Sequence, residues 1–269
     1  MNRYGPFNWI LLVLSSLVLL FLVAPLIGLF IHTGVGEFFE TANDKEVQAS
    51  IWLTVWVSFL ATFLFAIAAV PFAWLLARKS FPLKSVVQGI IDLPVVLPHT
   101  AAGIALLGFI SRDGLLGKAA SLAGLELVNN PGGIALAMAF VSLPFLINSA
   151  RDGFAAVPER LEKAALNLGA SRSRVFFTIS LPLAWRSIIT GFVMMFARGM
   201  SEFGAVVIIA YHPMIAPVLI YDRFSSFGLS YARPAAVLFI FIALIVFTTL
   251  RLLSERRKPV ITKKENADS

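Results

Sequence analysis

Cysteine is absent from this 269-residue chain, and charged side chains make up only 14% of it. The missing cysteine excludes disulfide bonds and thiol chemistry. The low charge excludes an ordinary water-soluble domain, in which roughly 25% of residues are charged. Hydrophobic residues instead make up 58% of the chain. This composition predicts a protein that crosses a membrane several times.

Motifs for catalysis and nucleotide binding are also missing. The phosphate-binding pattern GxxxxGK[ST] is absent, and the nearest string, which runs from Gly114 through Gly117 to Lys118, has a different spacing. HExxH, Gly-x-Ser-x-Gly and clusters of His and carboxylates with metal-ligand spacing are absent as well. We therefore expect no catalytic residue, no metal and no bound cofactor in this chain.

Six apolar runs are long enough to cross a hydrocarbon core, which takes about 20 helical residues. They cover residues 9–31, 51–77, 86–110, 132–150, 187–211 and 234–250. The first run is longer than the roughly 7–15 residues of a signal-peptide core and is predicted to be retained. The segments between the runs are short and show no internal repeat. A single membrane domain, 1–269, is predicted.

Positive charge is distributed unevenly among the segments between these runs. The N-terminus, 78–85, 151–186 and 251–269 hold 16 of the 22 Lys and Arg residues, and the opposite segments, 32–50, 111–131 and 212–233, hold five. Loops rich in Lys and Arg stay on the cytoplasmic side, so both termini and segment 151–186 are predicted to be cytoplasmic. Topology thus explains the net charge of +7, and nucleic acid is not an expected partner. The basic tail, 256–264, is expected to be solvated or to touch anionic headgroups.

Segment 158–182 combines charged and apolar residues at helical spacing. Its apolar residues fall at i, i+3, i+4 and i+7, which predicts one apolar helix face formed by Leu161, Ala164, Ala165 and Leu168. The polar face is predicted to carry Glu159, Arg160, Glu162, Lys163 and Asn167. Pro158 suits the first turn, Gly169 suits the end of this helix, and Ser171 suits the cap of a second helix. The first helix would be a rod of roughly 16 Å, suited to a groove on a partner. Periodicity alone equally allows a helix that lies on the headgroups.

The same segment resembles the cytoplasmic signature of permease subunits of ATP-binding-cassette importers. That signature reads Glu-Ala-Ala, three residues, Gly, nine residues, Ile, one residue, Leu-Pro. The matching residues are Ala164, Ala165, Gly169, Ile179, Leu181 and Pro182, whereas Lys163 occupies the Glu position and Glu162 precedes it. The resemblance covers roughly residues 50–250. It implies an all-α integral membrane protein with six transmembrane helices and a short cytoplasmic coupling helix.

The resemblance also implies partners for the chain. A coupling helix docks on a nucleotide-binding subunit, which holds ATP and Mg and is expected in two copies. The residues expected at this contact are Glu162, Lys163, Ala164, Ala165, Leu168, Gly169, Ile179, Leu181 and Pro182. The permease is expected to form a homodimer in the plasma membrane and to receive its substrate from an external substrate-binding protein. Gly191, Gly199 and Gly204 would allow close helix approach, which favours a dimer seam near the third and fifth spans.

Three further strings narrow the resemblance to permeases for tetrahedral oxyanions. They are DLPVVLPHT at 92–100 followed by Gly103, ARGMSEFGA at 197–205, and YHPMIAPVLIY at 211–221. These strings resemble permeases for molybdate and tungstate, with sulfate permeases close by. The resemblance implies import of molybdate or tungstate by alternating access, with sulfate or another oxyanion as the alternative.

Arg198 and Glu202 are four residues apart inside an apolar run, where each charge costs about 2.5–3.5 kcal/mol to insert. They must therefore face protein or water. In one hypothesis Arg198 compensates a passing dianion while Glu202 holds the guanidinium in place. In the other, the two residues form a structural pair that fixes helix packing or locks a gate. Phe203 is a further gate candidate.

The third run carries Asp92, Pro94, Pro98 and His99. Asp92 would need a partner cation or protonation inside a membrane. The two prolines free backbone carbonyls, which favours a pathway-lining segment. His99 follows Asp92 by seven residues, which allows a proton relay, although ordinary packing is the main expectation.

Two other classes of protein are alternatives to the importer. An ion-coupled carrier would use Asp92 and Glu202 to bind the coupling ion, but it leaves segment 158–182 unexplained. An intramembrane enzyme would need a nucleophile and a base that converge. His99 with Asp92 or Ser201 is too little for that.

Overall fold

A computed structural model of the protein describes residues 6–255, and every regular element in this part of the chain is helical. The predicted all-α class is thereby confirmed. The basic tail, 256–264, lies outside the described residues. In chain order the α-helices are α1 (Pro6–Ile31), α2 (Val35–Asn43), α3 (Lys45–Arg78), α4 (Lys84–Val96), α5 (His99–Ile110), α6 (Leu115–Leu122), α7 (Pro131–Ala156), α8 (Glu159–Asn167), α9 (Arg172–Val175), α10 (Leu181–Met200), α11 (Gly204–Ile209), α12 (Ala216–Phe227) and α13 (Leu229–Glu255).

The membrane spans correspond to the six apolar runs of the sequence. Among the described residues, five helices are long and apolar enough to cross a membrane, namely Phe7–Ile31, Lys45–Arg78, Pro131–Ala156, Arg172–Met200 and Leu229–Leu252. Helices α4 and α5 add a sixth crossing when they are taken together. The chain bends by 112° between these two helices.

The predicted third span, 86–110, is therefore not one continuous helix. Helix α4 ends at Val96, Leu97 is extended with φ −66° and ψ 141°, and α5 begins at His99. Pro98 explains the break, because its ring disfavours a helical conformation at the preceding residue and it has no N–H to donate. Pro94 is instead accommodated inside α4.

The predicted fifth span, 187–211, also has different bounds. A continuous helical stretch starts at Arg172, passes through a π-helical turn at Phe176–Ser180, and ends at Met200. Residues 201–203 interrupt the helix before α11 begins at Gly204. Glu202 explains this boundary, because its Oε1 accepts a hydrogen bond from the N–H of Ala205 at 2.9 Å and so caps the new helix.

The chain divides into two compact units, the larger of which comprises Ser50–Val218 and residues 243–255. Its core is built around α7, which packs along α10 and also contacts α4, α5 and α11. Two clusters of buried apolar side chains share this helix. One surrounds Met138 and Val206, and the other surrounds Leu146 and Met195.

Glycines on α10 and α11 allow this close packing within the chain. A Cβ at Gly191 would lie 2.8 Å from the Cβ of Ser149 on α7, and one at Gly204 would lie 2.6 Å from that of His99. A Cβ at Gly199 would lie 2.8 Å from the Oγ of Ser58 on α3. These glycines serve contacts between helices of one chain. The dimer seam that we inferred from them loses that support.

The smaller unit comprises residues 6–49 and Leu219–Ile242. Its most buried charge is Arg223, whose Nη2 donates to Asp44 Oδ2 at 2.6 Å and to Glu46 Oε2 at 3.4 Å. Burial acts to raise the pKa of Asp44, but the hydrogen bonds from Arg223 and from the N–H of Glu46 outweigh it and hold that pKa below its ordinary value. The apolar window of α1 has no buried residue.

Candidate coupling segment and pathway residues

The predicted coupling segment forms a helix, a sharp turn and a second helix, as its sequence indicates. Helix α8 covers Glu159–Asn167, and Gly169 adopts φ +86°, the left-handed conformation that ends a helix most readily at glycine. Ser171 Oγ then accepts a hydrogen bond from the N–H of Arg174 at 3.3 Å and caps α9. Both predicted capping residues are confirmed.

The apolar face of α8 is largely uncovered. Leu161 is 43% exposed and Leu168 is 89% exposed, and Ala164 is exposed between them. Ala165 is half-buried. On the same helix Lys163, which stands at the family's Glu position, forms an exposed ion pair with Glu159 at 2.8 Å. An exposed apolar stripe beside an ion pair is a surface that a partner protein can cover.

Glu162 points into the protein, although periodicity placed it on the polar face of α8. Both of its carboxylate oxygens accept hydrogen bonds from Arg78, at the end of α3, at 2.9–3.0 Å. Arg78 Nη2 also donates to the carbonyl of Val157 at 2.9 Å, and Ser180 Oγ donates to Glu162 Oε1 at 2.7 Å. The two charged side chains are only 8% and 10% exposed. This network fixes α8 against α3 and against the π-helical turn.

The remaining signature residues lie where the second helix enters α10. Ile179 lies in the π-helical turn and is half-buried, as is Leu181, which packs against the core cluster around Leu146. Pro182 lies in the first turn of α10 and is exposed. Because the helical stretch continues from α9 through the π-helical turn, the missing N–H of Pro182 removes one hydrogen bond from a continuous helix.

Arg198 and Glu202 form the predicted pair, with Arg198 Nη2 2.9 Å from Glu202 Oε2. The contact is an ion pair by distance, because the N–H groups of Arg198 are not aligned for a hydrogen bond to this oxygen. Glu202 is 1% exposed, whereas Arg198 is 24% exposed. The carboxylate is therefore internal, and the guanidinium reaches the surface of the described chain.

His99 completes this cluster. Its Nε2 lies 2.8 Å from Arg198 Nη2, and its Nδ1 lies 3.6 Å from Glu202 Oε2. Because a guanidinium only donates, Nε2 must accept, which places the ring proton of a neutral His99 on Nδ1, toward Glu202. The expectation of ordinary packing for His99 is wrong, since the ring joins a charged pair. The described partners of the ring are Arg198 and Glu202, and a relay with Asp92 stays a prediction.

Asp92 has an amide donor as its described partner. Asn148 on α7 donates from Nδ2 to Asp92 Oδ1 at 2.6 Å. No ion pair joins Asp92 to a cation among the described residues, so an amide stands where a partner cation was expected, and protonation of Asp92 stays a prediction. The two carboxylates considered for a coupling ion thus contact Asn148 and Arg198, respectively.

The other pathway candidates have mixed surroundings. Pro94 is buried in the wall of a pocket of about 470 Å³ between α3, α4, α5 and α7. Its lining side chains are apolar, so this pocket offers an oxyanion no polar contact. Pro98 is exposed at the bend, and Phe203 packs, half-buried, against the core cluster around Met138.

Sequence reasoning missed three residues of these sites, namely Arg78, Ser180 and Asn148. Arg78 carried a usable signal, because a cation at the end of an apolar run marks a membrane boundary. Ser180 and Asn148 carried none, since a polar residue at such a position is common. Among the described residues, no group of three or more His and carboxylate side chains is placed to hold a metal ion.

Comparison with known proteins adds independent findings. Residues 69–258 match the family model described as binding-protein-dependent transport system inner membrane component. The chain is similar to proteins named molybdate/tungstate transport system permease protein WtpB, with 39% identity in Thermococcus kodakarensis over 91% of this chain and 94% of that one. The Methanocaldococcus jannaschii protein of this name is 39% identical, and the alignment covers 93% of this chain and 98% of that one. A sulfate transport system permease protein from Synechococcus elongatus is 32% identical, and the alignment covers 93% of this chain and 91% of that one.

Solved structures share the fold. A chain of a bacterial transporter that imports the acidic polysaccharide alginate aligns with a TM-score of 0.73 at 18% identity, covering 94% of this chain and 97% of that one. A chain of the methionine transporter MetNI aligns with a TM-score of 0.58 at 13% identity, covering 78% of this chain and 93% of that one.

Proposed function

The chain belongs to the binding-protein-dependent transport system inner membrane components, and we propose that it is the permease through which an ATP-driven importer moves molybdate or tungstate. One observation carries the choice of substrate. Relatives named for molybdate and tungstate are 39–41% identical over about 90% of both chains, whereas those named for sulfate are 28–32% identical. Sulfate is therefore the second candidate.

Energy is proposed to come from a separate nucleotide-binding subunit, in two copies, that binds ATP and Mg. The exposed stripe from Leu161 to Leu168 supports a docking role for α8. The buried contacts of Glu162 support the transmission of movement, because they attach α8 to a membrane-spanning helix at its end. Lys163 at the family's Glu position is compatible with docking, since its ion pair with Glu159 lies on the exposed side of the helix.

Passage of the anion is proposed to occur between two copies of the chain, by alternating access, after delivery by an external substrate-binding protein. ATP binding would close the motor subunits, and α8 would follow them and switch the spans between two arrangements. Arg198 supports a place beside the pathway, because its charged group is partly exposed while Glu202 and His99 hold it in position. Its attraction for a dianion is reduced by the adjacent carboxylate, which suits a group that must release what it binds.

Uptake into proteoliposomes tests the proposal. The chain would be reconstituted with its nucleotide-binding subunit and its binding protein, and labelled molybdate uptake would be measured with ATP inside the vesicles. We expect uptake that depends on ATP and on the binding protein and that unlabelled tungstate suppresses. If sulfate at equal concentration suppressed the molybdate uptake, sulfate would become the preferred substrate. Uptake driven by an ion gradient without ATP would refute the importer.

A further inference from the structure

A surface pocket of about 580 Å³ opens beside the Arg78–Glu162 network, between the end of α3, helix α8 and the segment from α9 into the π-helical turn. It lies wholly within the larger unit. Its volume falls within the roughly 300–1,000 Å³ that is typical of sites for small molecules. None of the proposed transport steps makes use of this pocket.

One wall of the pocket is apolar and aromatic. Trp74 packs edge-on against Phe176, with ring centroids 5.5 Å apart. Leu75 is 45% exposed and Phe177 is 64% exposed, so large apolar side chains remain uncovered there. Trp74 and Leu75 belong to the last turns of the span α3, so we expect this wall at the edge of the hydrocarbon layer.

The opposite rim carries cations that other contacts do not neutralise. Of the four positive side chains that line the pocket, Arg78 is paired with Glu162 and Lys163 with Glu159. The other two, Lys79 and Arg172, form no ion pair with any described residue. Lys79 directly follows α3, so we expect this rim at the level of the headgroups.

A rim of cations above an apolar wall matches the order of groups in a phospholipid. Headgroup phosphates lie at the membrane surface, where basic pockets between helices attract them, and the acyl chains lie below. We propose that the pocket binds an anionic phospholipid, whose phosphate contacts Lys79 and Arg172 and whose acyl chain lies along Leu75 and Phe177. The proposal needs only the membrane location of the chain, and it does not depend on the transported anion.

Tryptophan quenching by brominated lipids tests this site on the purified full-length chain in nanodiscs. Brominated phosphatidylglycerol and brominated phosphatidylcholine are titrated in two separate series. The chain has four other tryptophans, so the signal of Trp74 is taken as the part of the quenching that the Trp74→Phe variant lacks. The test variant is Lys79→Gln/Arg172→Gln. The matched control, Arg160→Gln/Arg174→Gln, removes the same charge from exposed positions of the same region outside the pocket.

We expect Trp74 to be quenched at a lower mole fraction of phosphatidylglycerol than of phosphatidylcholine. The test variant should raise the half-saturating fraction of phosphatidylglycerol about 30-fold, at about five-fold for each positive charge removed from the surface. The control variant should stay within two-fold of the unmodified chain. Unchanged elution and circular dichroism in both variants exclude misfolding as the cause.

Several outcomes would overturn the proposal. Equal quenching by both lipids, or an equal loss in the two double variants, would show that no specific site exists. Loss of the lipid signal on addition of inorganic phosphate would assign the cations to a soluble anion. Displacement of the lipid by a stoichiometric amount of the nucleotide-binding subunit would assign the pocket to that partner.

Discussion

Replacing Glu162 by alanine should loosen α8, the proposed coupling helix, from the membrane-spanning helix α3. The substitution removes both acceptors of Arg78 and the acceptor of Ser180 Oγ, and it leaves the guanidinium with the carbonyl of Val157 alone. Arg78 is 8% exposed, so water does not simply replace the lost carboxylate. The substitution leaves a charge that is almost buried and poorly compensated.

The expected loss of stability is about 3 kcal/mol. Removing one partner of a buried ion pair costs roughly 3–5 kcal/mol, and the lower end applies because Arg78 lies at the last residue of α3 and can shift toward water. Glu162→Gln keeps one oxygen acceptor and should lose about half as much. The double variant Arg78→Leu/Glu162→Leu should recover most of the loss, since apolar replacement of a whole buried pair is often neutral.

Two measurements on these variants separate stability from coupling. Unfolding in mixed micelles of mild detergent and dodecyl sulfate gives the free energies, and proteoliposomes give the molybdate taken up per ATP hydrolysed. We expect Glu162→Ala to lower both quantities, while Glu159→Ala on the exposed face of the same helix changes stability little. If Glu162→Ala unfolded within about 0.5 kcal/mol of the unmodified chain, our reading of the network would be wrong.

Substitutions at three further positions test other parts of the structure. Gly169→Ala should lower the free energy of unfolding by about 1 kcal/mol and reduce coupled uptake, because φ is +86° at this residue. No atom lies near the added Cβ, so a steric clash would not contribute. Asparagine tolerates this conformation, so Gly169→Asn should lose less stability, and equal losses would argue against a backbone cause. Arg198→Gln should reduce molybdate uptake by at least ten-fold, with Arg198→Lys as the charge-preserving control; unchanged uptake and anion dependence would remove Arg198 from the pathway. The lowered pKa of Asp44 stabilises the fold above the ordinary value of about 3.9, and this contribution is lost as the pH falls through the lowered pKa. Asp44→Asn should therefore flatten the decline in thermal stability below about pH 4, and an unchanged decline would assign the acid sensitivity to other carboxylates.

The sequence predicted features that depend on neighbouring residues along the chain. Apolar runs of sufficient length located the spans, and the need for a left-handed residue placed the turn of the coupling segment at Gly169. The four-residue spacing of Arg198 and Glu202 was enough to predict their contact. Each of these inferences uses geometry that one or two helical turns determine.

Features that depend on distant residues were not predictable in this way. Periodicity says which residues share a face of a helix, but not which face meets a neighbour, and so Glu162 was placed outward although it contacts Arg78, 84 residues earlier. The same limit hid Asn148 as the partner of Asp92 and Arg198 as the partner of His99. The 112° bend at Pro98 was also beyond reach, because a proline shows where a helix is weakened and not how far it turns.

The π-helical turn at Phe176–Ser180 has a consequence for how rotation travels along the chain. Such a turn holds one residue more than an α-helical turn, and one residue corresponds to about 100° of rotation about the helix axis. Tightening the turn into regular α-helix would swing α10, with Arg198 near its far end, by about that angle relative to α9. Ser180 donates to Glu162 from within the turn. A side chain of α8, the proposed coupling helix, is thus bonded to a turn where this helix can change its register.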